Sequence, residues 1–223
     1  DKLILGYQHY IEGLKSYLTA DEPELYIAQV VKLFDDYRIL TAIRHGALGL
    51  SQLNMQIEQR LLEALSLHMS KQGDWYVGRP VMMTYNDYQL GLSNGDIGIC
   101  FKRSRDGQSQ FEVYFPSLEK WVPATRLPKS IETAFVLTIH KSQGGEWQTV
   151  IADLSGVRGD SSLNRRLAYT AVTRARKSLL IHNWPFGNQS IDINSVGHIF
   201  QQFLEAQLAQ HFDVRSIQDG IQL

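Results

Sequence analysis

The chain has 223 residues, 43% hydrophobic and 20% charged, with 22 Lys and Arg against 23 Asp and Glu, for a formal charge of −1. Together with 17 Gly, 6 Pro and one cysteine, Cys100, this excludes collagen-like, highly charged disordered and disulfide-framework chains. No apolar run approaches the ~18 residues that span a bilayer, and Asp1–Gly6 is not a signal sequence, so a soluble, reducing, cytoplasmic setting is expected, and the start at Asp1 points to a piece of a longer chain.

Residues 5–18 set Tyr7, Tyr10, Ile11, Leu14, Tyr17 and Leu18 at helical spacing, which predicts an amphipathic helix with one buried stripe. Asp21 and Pro23 signal a second helix ahead of Leu25, Ile27, Val30, Val31 and Phe34. Tyr37–Ile43 is short and β-prone and runs into a Gly-bearing turn at 44–49, after which Leu53, Ile57, Leu61, Leu65 and Met69 predict a helix over 52–70. Helix–strand–helix order points to an α/β layer. From Trp75 to Leu127 the helical period disappears. Short β-prone runs at 80–85, 97–102, 111–115 and 120–123 alternate with turns at Asn94-Gly95-Asp96, Arg105-Asp106-Gly107 and Pro116-Ser117. That is the texture of a small barrel-like module, with too little core to stand without a host. Beyond Pro128, strands are expected at 134–139, 150–154 and 179–182, a helix at 164–177, and a C-terminal helix on Val196, Ile199, Phe200, Phe203, Leu204, Leu208 and Phe212. The simplest architecture is an α/β domain, residues 1–74 with 129–223, interrupted by an all-β module at 75–128.

The near-zero net charge hides an asymmetry. Residues 120–180 carry 10 basic and 4 acidic side chains, whereas residues 1–36 carry 3 and 7, and residues 181–223 carry 1 and 4. A basic block between acidic flanks suits a polyanion, although a solvated basic face reads the same way.

Two segments of that block concentrate chemistry. Thr138-Ile139-His140-Lys141-Ser142-Gln143-Gly144-Gly145-Glu146-Trp147 follows an expected strand, and polar groups crowded at a strand's C-terminal end are typical of ligand sites in open α/β sheets. A polar turn, with Gly for its geometry, is the plainer alternative. Downstream, Asn164–Arg176 reads as a helix packed through Leu167, Ala171 and Ala175, with arginines left to be aimed. A guanidinium near a helix end can offset the charge that develops in phosphoryl transfer. The seven histidines show no metal-ligand spacing, Cys100 sits in a β-prone run, and Gly-x-Ser-x-Gly is absent, so no metal site or hydrolytic nucleophile is expected.

In this order the segments resemble motifs V (138–147) and VI (165–175) of superfamily 1 DNA helicases. Tyr37–Leu50, with Ala42, Arg44, Gly46 and Gly49, is similar to motif IV of the RecD branch. Gly78-Arg79-Pro80-Val81-Met82 with Asn94-Gly95-Asp96-Ile97-Gly98 resembles the start of that branch's SH3-like insertion. The resemblance implies a RecA-like, P-loop NTPase-type second motor domain with a small SH3-like all-β insertion, coupling ATP hydrolysis to 5′ to 3′ movement on DNA. It also implies roles. Arg44 and Arg174 would point at the γ-phosphate, with Arg174 as arginine finger. Gly144 and Glu146 would meet the nucleotide, while Thr138 and His140 would meet single-stranded DNA. Lys141, Ser142 and Gln143 would couple the two sides. The implied cofactors are ATP and Mg²⁺, and the implied partners are single-stranded DNA, an upstream RecA-like domain and RecB- and RecC-type subunits. A P-loop, Gly-x-x-x-x-Gly-Lys-Ser/Thr, occurs nowhere in the chain, so the chain alone is expected to be catalytically silent. The alternative from another class is a non-catalytic DNA-binding or subunit-docking module.

Overall fold

A computed structural model describes residues 2–157 and 162–183. The elements run α1 (Lys2–Leu5), α2 (Gln8–Thr19), a 3-10 turn (Pro23–Tyr26), α3 (Ile27–Asp35), β1 (Tyr37–Thr41), α4 (Leu50–Ala64), β2 (Pro80–Met82), β3 (Ile97–Arg105), β4 (Gln108–Phe115), β5 (Lys120–Pro123), β6 (Glu132–Thr133), β7 (Val136–Thr138), β8 (Trp147–Asp153), α5 (Ser162–Val172) and β9 (Ala175–His182). They fall into two compact units, residues 1–34 with 53–136 and residues 35–52 with 137–223. The expected C-terminal helix over Val196–Phe212 lies outside the described residues.

The first unit holds an antiparallel sheet in the order β5-β4-β3-β2-β6. Its β3–β4 hairpin closes through Asp106 and Gly107, both at positive φ (51° and 76°), the conformation a two-residue type I′ turn requires. One face buries Val81, Cys100, Val113, Phe115 and Val122 together with Leu90, Leu92, Leu127 and Ile131. Burial pushes the Cys100 thiol up to about 12, which removes it as a nucleophile. The other face buries Phe101 against Tyr17 of α2, ring centroids 5.2 Å apart.

The tyrosine stripe of α2 is core, and its hydroxyls are satisfied on backbone carbonyls. Tyr7 donates to Phe135, Tyr10 to Gly78 (2.7 Å) and Tyr17 to Lys102 (3.0 Å). The small sheet therefore leans on the N-terminal helices, as its thin core demands. α4 is pinned by one amide: Asn54 Nδ2 donates to Val136 O (3.1 Å) while Val136 N–H donates to Asn54 Oδ1 (3.0 Å), at a site only 7% exposed. Asn54→Ala strips both partners and leaves a buried N–H and C=O unsatisfied, so a loss of about 2–3 kcal/mol is expected in urea unfolding.

The second unit holds the sheet β7-β1-β8-β9, in which β1, β8 and β9 are parallel. Every residue of β1 is buried, as a central parallel strand requires. Arg38 is 2% exposed within it, its guanidinium 5.1 Å from the centroid of the Trp147 ring. The expected helix over 164–177 ends at Val172, and Ala175–Lys177 begin β9 instead. Parallel pairing to β8, starting at Trp147↔Ala175, overrides local helix propensity there. Among the described residues no helix is long and apolar enough to cross a membrane.

Candidate functional site

Parallel strands give the second unit's sheet two distinct edges. Thr41, Asp153 and His182 close β1, β8 and β9 at one edge, where Thr41 pairs with Asp153 and Asp153 with His182. At the other edge Trp147 and Ala175 open β8 and β9. Six steps of strand separate Trp147 from Asp153, about 20 Å at ~3.3 Å per residue. The loop between β7 and β8 runs from edge to edge. It leaves β7 beside the end of β1, where Ile139 N–H donates to Thr41 O (3.0 Å), and enters β8 beside Arg174, whose carbonyl accepts from Trp147 N–H (2.9 Å).

Within the loop the backbone is held from inside. Ser142 is 1% exposed; its hydroxyl donates to Ile139 O (2.6 Å) and its N–H to Thr138 O (3.0 Å). Thr138 Oγ1 accepts from Lys141 N–H (3.2 Å), and Gly145 N–H donates back to Ser142 O (3.0 Å). The result is a compact turn that exposes His140, Gln143 and Gly144. Gly144 stands at φ +85° with open space around it, whereas a Cβ on Gly145 would lie 2.6 Å from Trp147 Cη2. The first glycine serves backbone geometry and the second lets the indole press on the loop.

Arg174 lies in the turn between α5 and β9, partly buried, and its guanidinium is seated by three hydrogen bonds. Nε donates to Thr170 O (3.1 Å), Nη1 to Gly145 O (3.0 Å) and Nη2 to Thr173 Oγ1 (3.1 Å). All three acceptors are neutral, so the seat fixes the fork, and among the described residues no carboxylate pairs with it. A guanidinium has five N–H donors, and one remains on each terminal nitrogen. The charge reaches Tyr169, whose hydroxyl is raised by burial and drawn back down by Arg174.

The sequence-predicted residues thus divide. Gly144, Glu146 and Arg174 share the edge where β8 and β9 begin, and Thr138 and His140 share the edge where β1 ends. Lys141, Ser142 and Gln143 lie between. Arg44 does not join Arg174. It follows the C-terminal end of β1, exposed, on a loop braced by Thr41 Oγ1 donating to Leu48 O (2.9 Å) and Leu50 N–H donating to Ile43 O (3.0 Å). Parallel strands set the backbone positions of the two arginines at opposite ends of the sheet. Glu146 Oε2 accepts from Arg176 Nε (3.2 Å) in an exposed ion pair.

Sequence reasoning missed Thr173, Arg176 and a buried carboxylate. Asp153, 2% exposed, accepts at Oδ1 from Ser155 N–H (2.9 Å), Ser155 Oγ (2.7 Å) and Asn183 Nδ2 (3.2 Å), with His182 Nδ1 at 3.5 Å. A lone acidic residue closing an otherwise apolar strand, Val150-Ile151-Ala152-Asp153, was the available signal. Among the described residues no group of three His, Cys, Asp or Glu side chains could hold a metal ion.

Comparison with known proteins gives this geometry a family. The UvrD-like helicase C-terminal domain matches residues 133–182, which span both segments of the site. The RecBCD enzyme subunit RecD of Haemophilus influenzae is 39% identical over 148 residues, 66% of this chain and 21% of that one. The subunit of the same name from Mycolicibacterium smegmatis is 36% identical over 148 residues, 66% of this chain and 25% of its own length. The chain belongs to the RecD-type superfamily 1 helicases. The ATP-dependent RecD2 DNA helicase of Deinococcus radiodurans is a further relative of this RecD-type chain, 30% identical over 139 residues, 62% of this chain and 19% of that one. The chain thus spans about a fifth to a quarter of the length of these relatives. A Pif1 helicase from Bacteroides, solved with ADP-AlF3 and ssDNA, covers 90% of the RecD-type chain and 55% of its own at a TM-score of 0.42 and 15% identity, too distant for residue-level comparison.

Proposed function

We propose that this chain is the C-terminal motor domain of an ATP-dependent DNA helicase of the exonuclease V alpha-subunit type, acting in double-strand-break repair. In this reading residues 1–74 with 129–223 form the RecA-like domain and 75–128 its SH3-like insertion. One observation carries the proposal: the Arg174 fork, oriented by three neutral acceptors, with no carboxylate partner and two N–H groups to spare among the described residues. That is the donor set an arginine finger needs toward developing phosphoryl charge.

ATP and Mg²⁺ are the cofactors, held mainly by an upstream P-loop domain. When bound, the metal would supply positive charge against the phosphates. The residues here that fit the nucleotide are Arg174, Gly144, whose backbone approaches without a side chain, and Glu146 once it exchanges Arg176 for a ribose hydroxyl. Thr138 and His140 meet single-stranded DNA, and the edge-to-edge loop through Lys141, Ser142 and Gln143 carries nucleotide state to DNA grip. Such coupling requires the two ligands to favour different loop states. RecB- and RecC-type subunits are the protein partners, and the chain without its P-loop domain turns over no ATP.

Arg44, at the edge of Thr138 and His140, is better suited to DNA than to the γ-phosphate. Arg44→Ala in the full-length helicase is expected to weaken single-stranded DNA binding about fivefold near 0.1 M salt and to reduce the salt slope by about one, with KM for ATP unchanged. The test of the whole reading is DNA-stimulated ATP turnover of the full-length protein with Arg174→Ala; turnover at the wild-type rate would leave a DNA-binding or docking module as the surviving reading.

A further inference from the structure

The seat of Arg174 contains one side chain. Thr170 and Gly145 contribute backbone carbonyls, which no substitution removes, while the third acceptor is the Thr173 hydroxyl. Thr173 is 7% exposed, and its own proton is directed back into α5, toward Tyr169 O (3.0 Å) or Thr170 O (3.1 Å). A hydroxyl has one donor and two acceptor lone pairs, so anchoring the proton on the helix turns a lone pair toward Arg174 Nη2. The direction of the hydroxyl is fixed by the helix end, and the direction of the terminal guanidinium nitrogen is fixed by the hydroxyl.

We propose that Thr173 is a positioning residue of the motor: it locks the plane of the Arg174 guanidinium so that the two unused N–H groups face outward together. The inference rests on the reading of Arg174 as the finger. Two carbonyls hold Nε and Nη1. Because the guanidinium is a rigid plane, two held points leave it free to tilt about the line that joins them, and the third acceptor at Nη2 removes that freedom. A fork that must meet a phosphoryl group at two points loses more from such freedom than a single-point donor does.

The substitution is clean. Thr173→Val keeps shape and removes only the hydroxyl. Tyr169 O keeps a partner, because Thr173 N–H still donates to it (3.1 Å), so the helix end stays closed. Thr173→Ser restores the acceptor without the methyl group.

The test uses the full-length helicase with saturating single-stranded DNA. Thr173→Val is expected to lower kcat about tenfold with KM for ATP within about twofold, Thr173→Ser to recover most of it, and Thr173→Val to cost nothing further on an Arg174→Ala background. A readout independent of turnover is the ¹⁵N-labelled Arg174 Nε–H, whose exchange with water should quicken several-fold in Thr173→Val and not in Thr173→Ser. Slow turnover in Arg174→Ala beside unchanged kcat and unchanged exchange in Thr173→Val would overturn the positioning role and leave the finger standing. Equal losses in Val and Ser would do the same, assigning Thr173 to packing. Unchanged turnover in Arg174→Ala would overturn the finger and the positioning role together.

Discussion

Lysine at position 174 is expected to be almost as damaging as alanine, each lowering DNA-stimulated ATP turnover of the full-length helicase about 10³-fold, the low end for arginine fingers. The reason lies in what the seat uses. Nε, Nη1 and Nη2 are each spent once on Thr170 O, Gly145 O and Thr173 Oγ1, and the remaining two N–H groups lie in the same plane because the guanidinium is rigid. Lysine offers three donors on one nitrogen at the end of a flexible stem. It could satisfy a seat acceptor or a phosphoryl oxygen, but it could not do both with a fixed direction. The charge is preserved, so the comparison separates electrostatics from geometry: a Lys variant turning over within a few-fold of wild type would show that a positive charge alone suffices. Nucleotide affinity is expected to change little in either variant, because an interaction strongest in the transition state appears in kcat.

The residue types gathered at this site were legible in the sequence, and their placement only in part. Tyr7, Tyr10, Leu14 and Tyr17 lie on one helix face because the 3.6 period is a local property, and the structure buries them together. The crowding of Thr138–Trp147 after an apolar strand likewise needed no tertiary information to stand out. The end of α5 was different. Ala175-Arg176-Lys177 has good helix propensity, and only pairing to β8, a partner almost 30 residues away, makes it strand. That shift moves Arg174 from a helix face into a turn and brings it to Gly145.

The place of Arg44 was illegible for the same kind of reason. Its residue type and neighbours suit an anion site, but the edge it occupies is decided by the direction of β1 relative to β8 and β9. Arg38 was also illegible, since a buried arginine in a central strand depends on Trp147 folding over it. Thr173 could have been read only by knowing where the guanidinium of Arg174 turns.

Gly145→Ala is the second substitution expected to have a large effect, although alanine adds a single methyl group and Gly145 does not occupy the left-handed backbone region. The new Cβ would lie 2.6 Å from Trp147 Cη2 and 2.9 Å from Cζ2, inside any tolerable contact. The indole cannot retreat freely, being 4% exposed and packed at 5.1 Å from the Arg38 guanidinium in a fully buried strand. The loop must therefore move, and the Gly145 carbonyl with it, withdrawing an acceptor from Arg174 Nη1. Overpacking of this kind costs ~1–3 kcal/mol of stability. Displacement of the fork by ~1 Å can cost about 10²-fold in turnover. The same loop continues through Ser142 to Thr138, so single-stranded DNA affinity should fall in parallel, unlike in Arg174→Ala, where the loop keeps its packing. Trp147→Phe in the Gly145→Ala background shortens the ring system where the methyl group intrudes and is expected to return most of the turnover, even though Trp147→Phe alone opens a small cavity. A double-mutant cycle on kcat and on urea stability measures that compensation; additive losses would mean that the indole and the glycine act independently and that the route from Trp147 through Gly145 to Arg174 does not carry the effect.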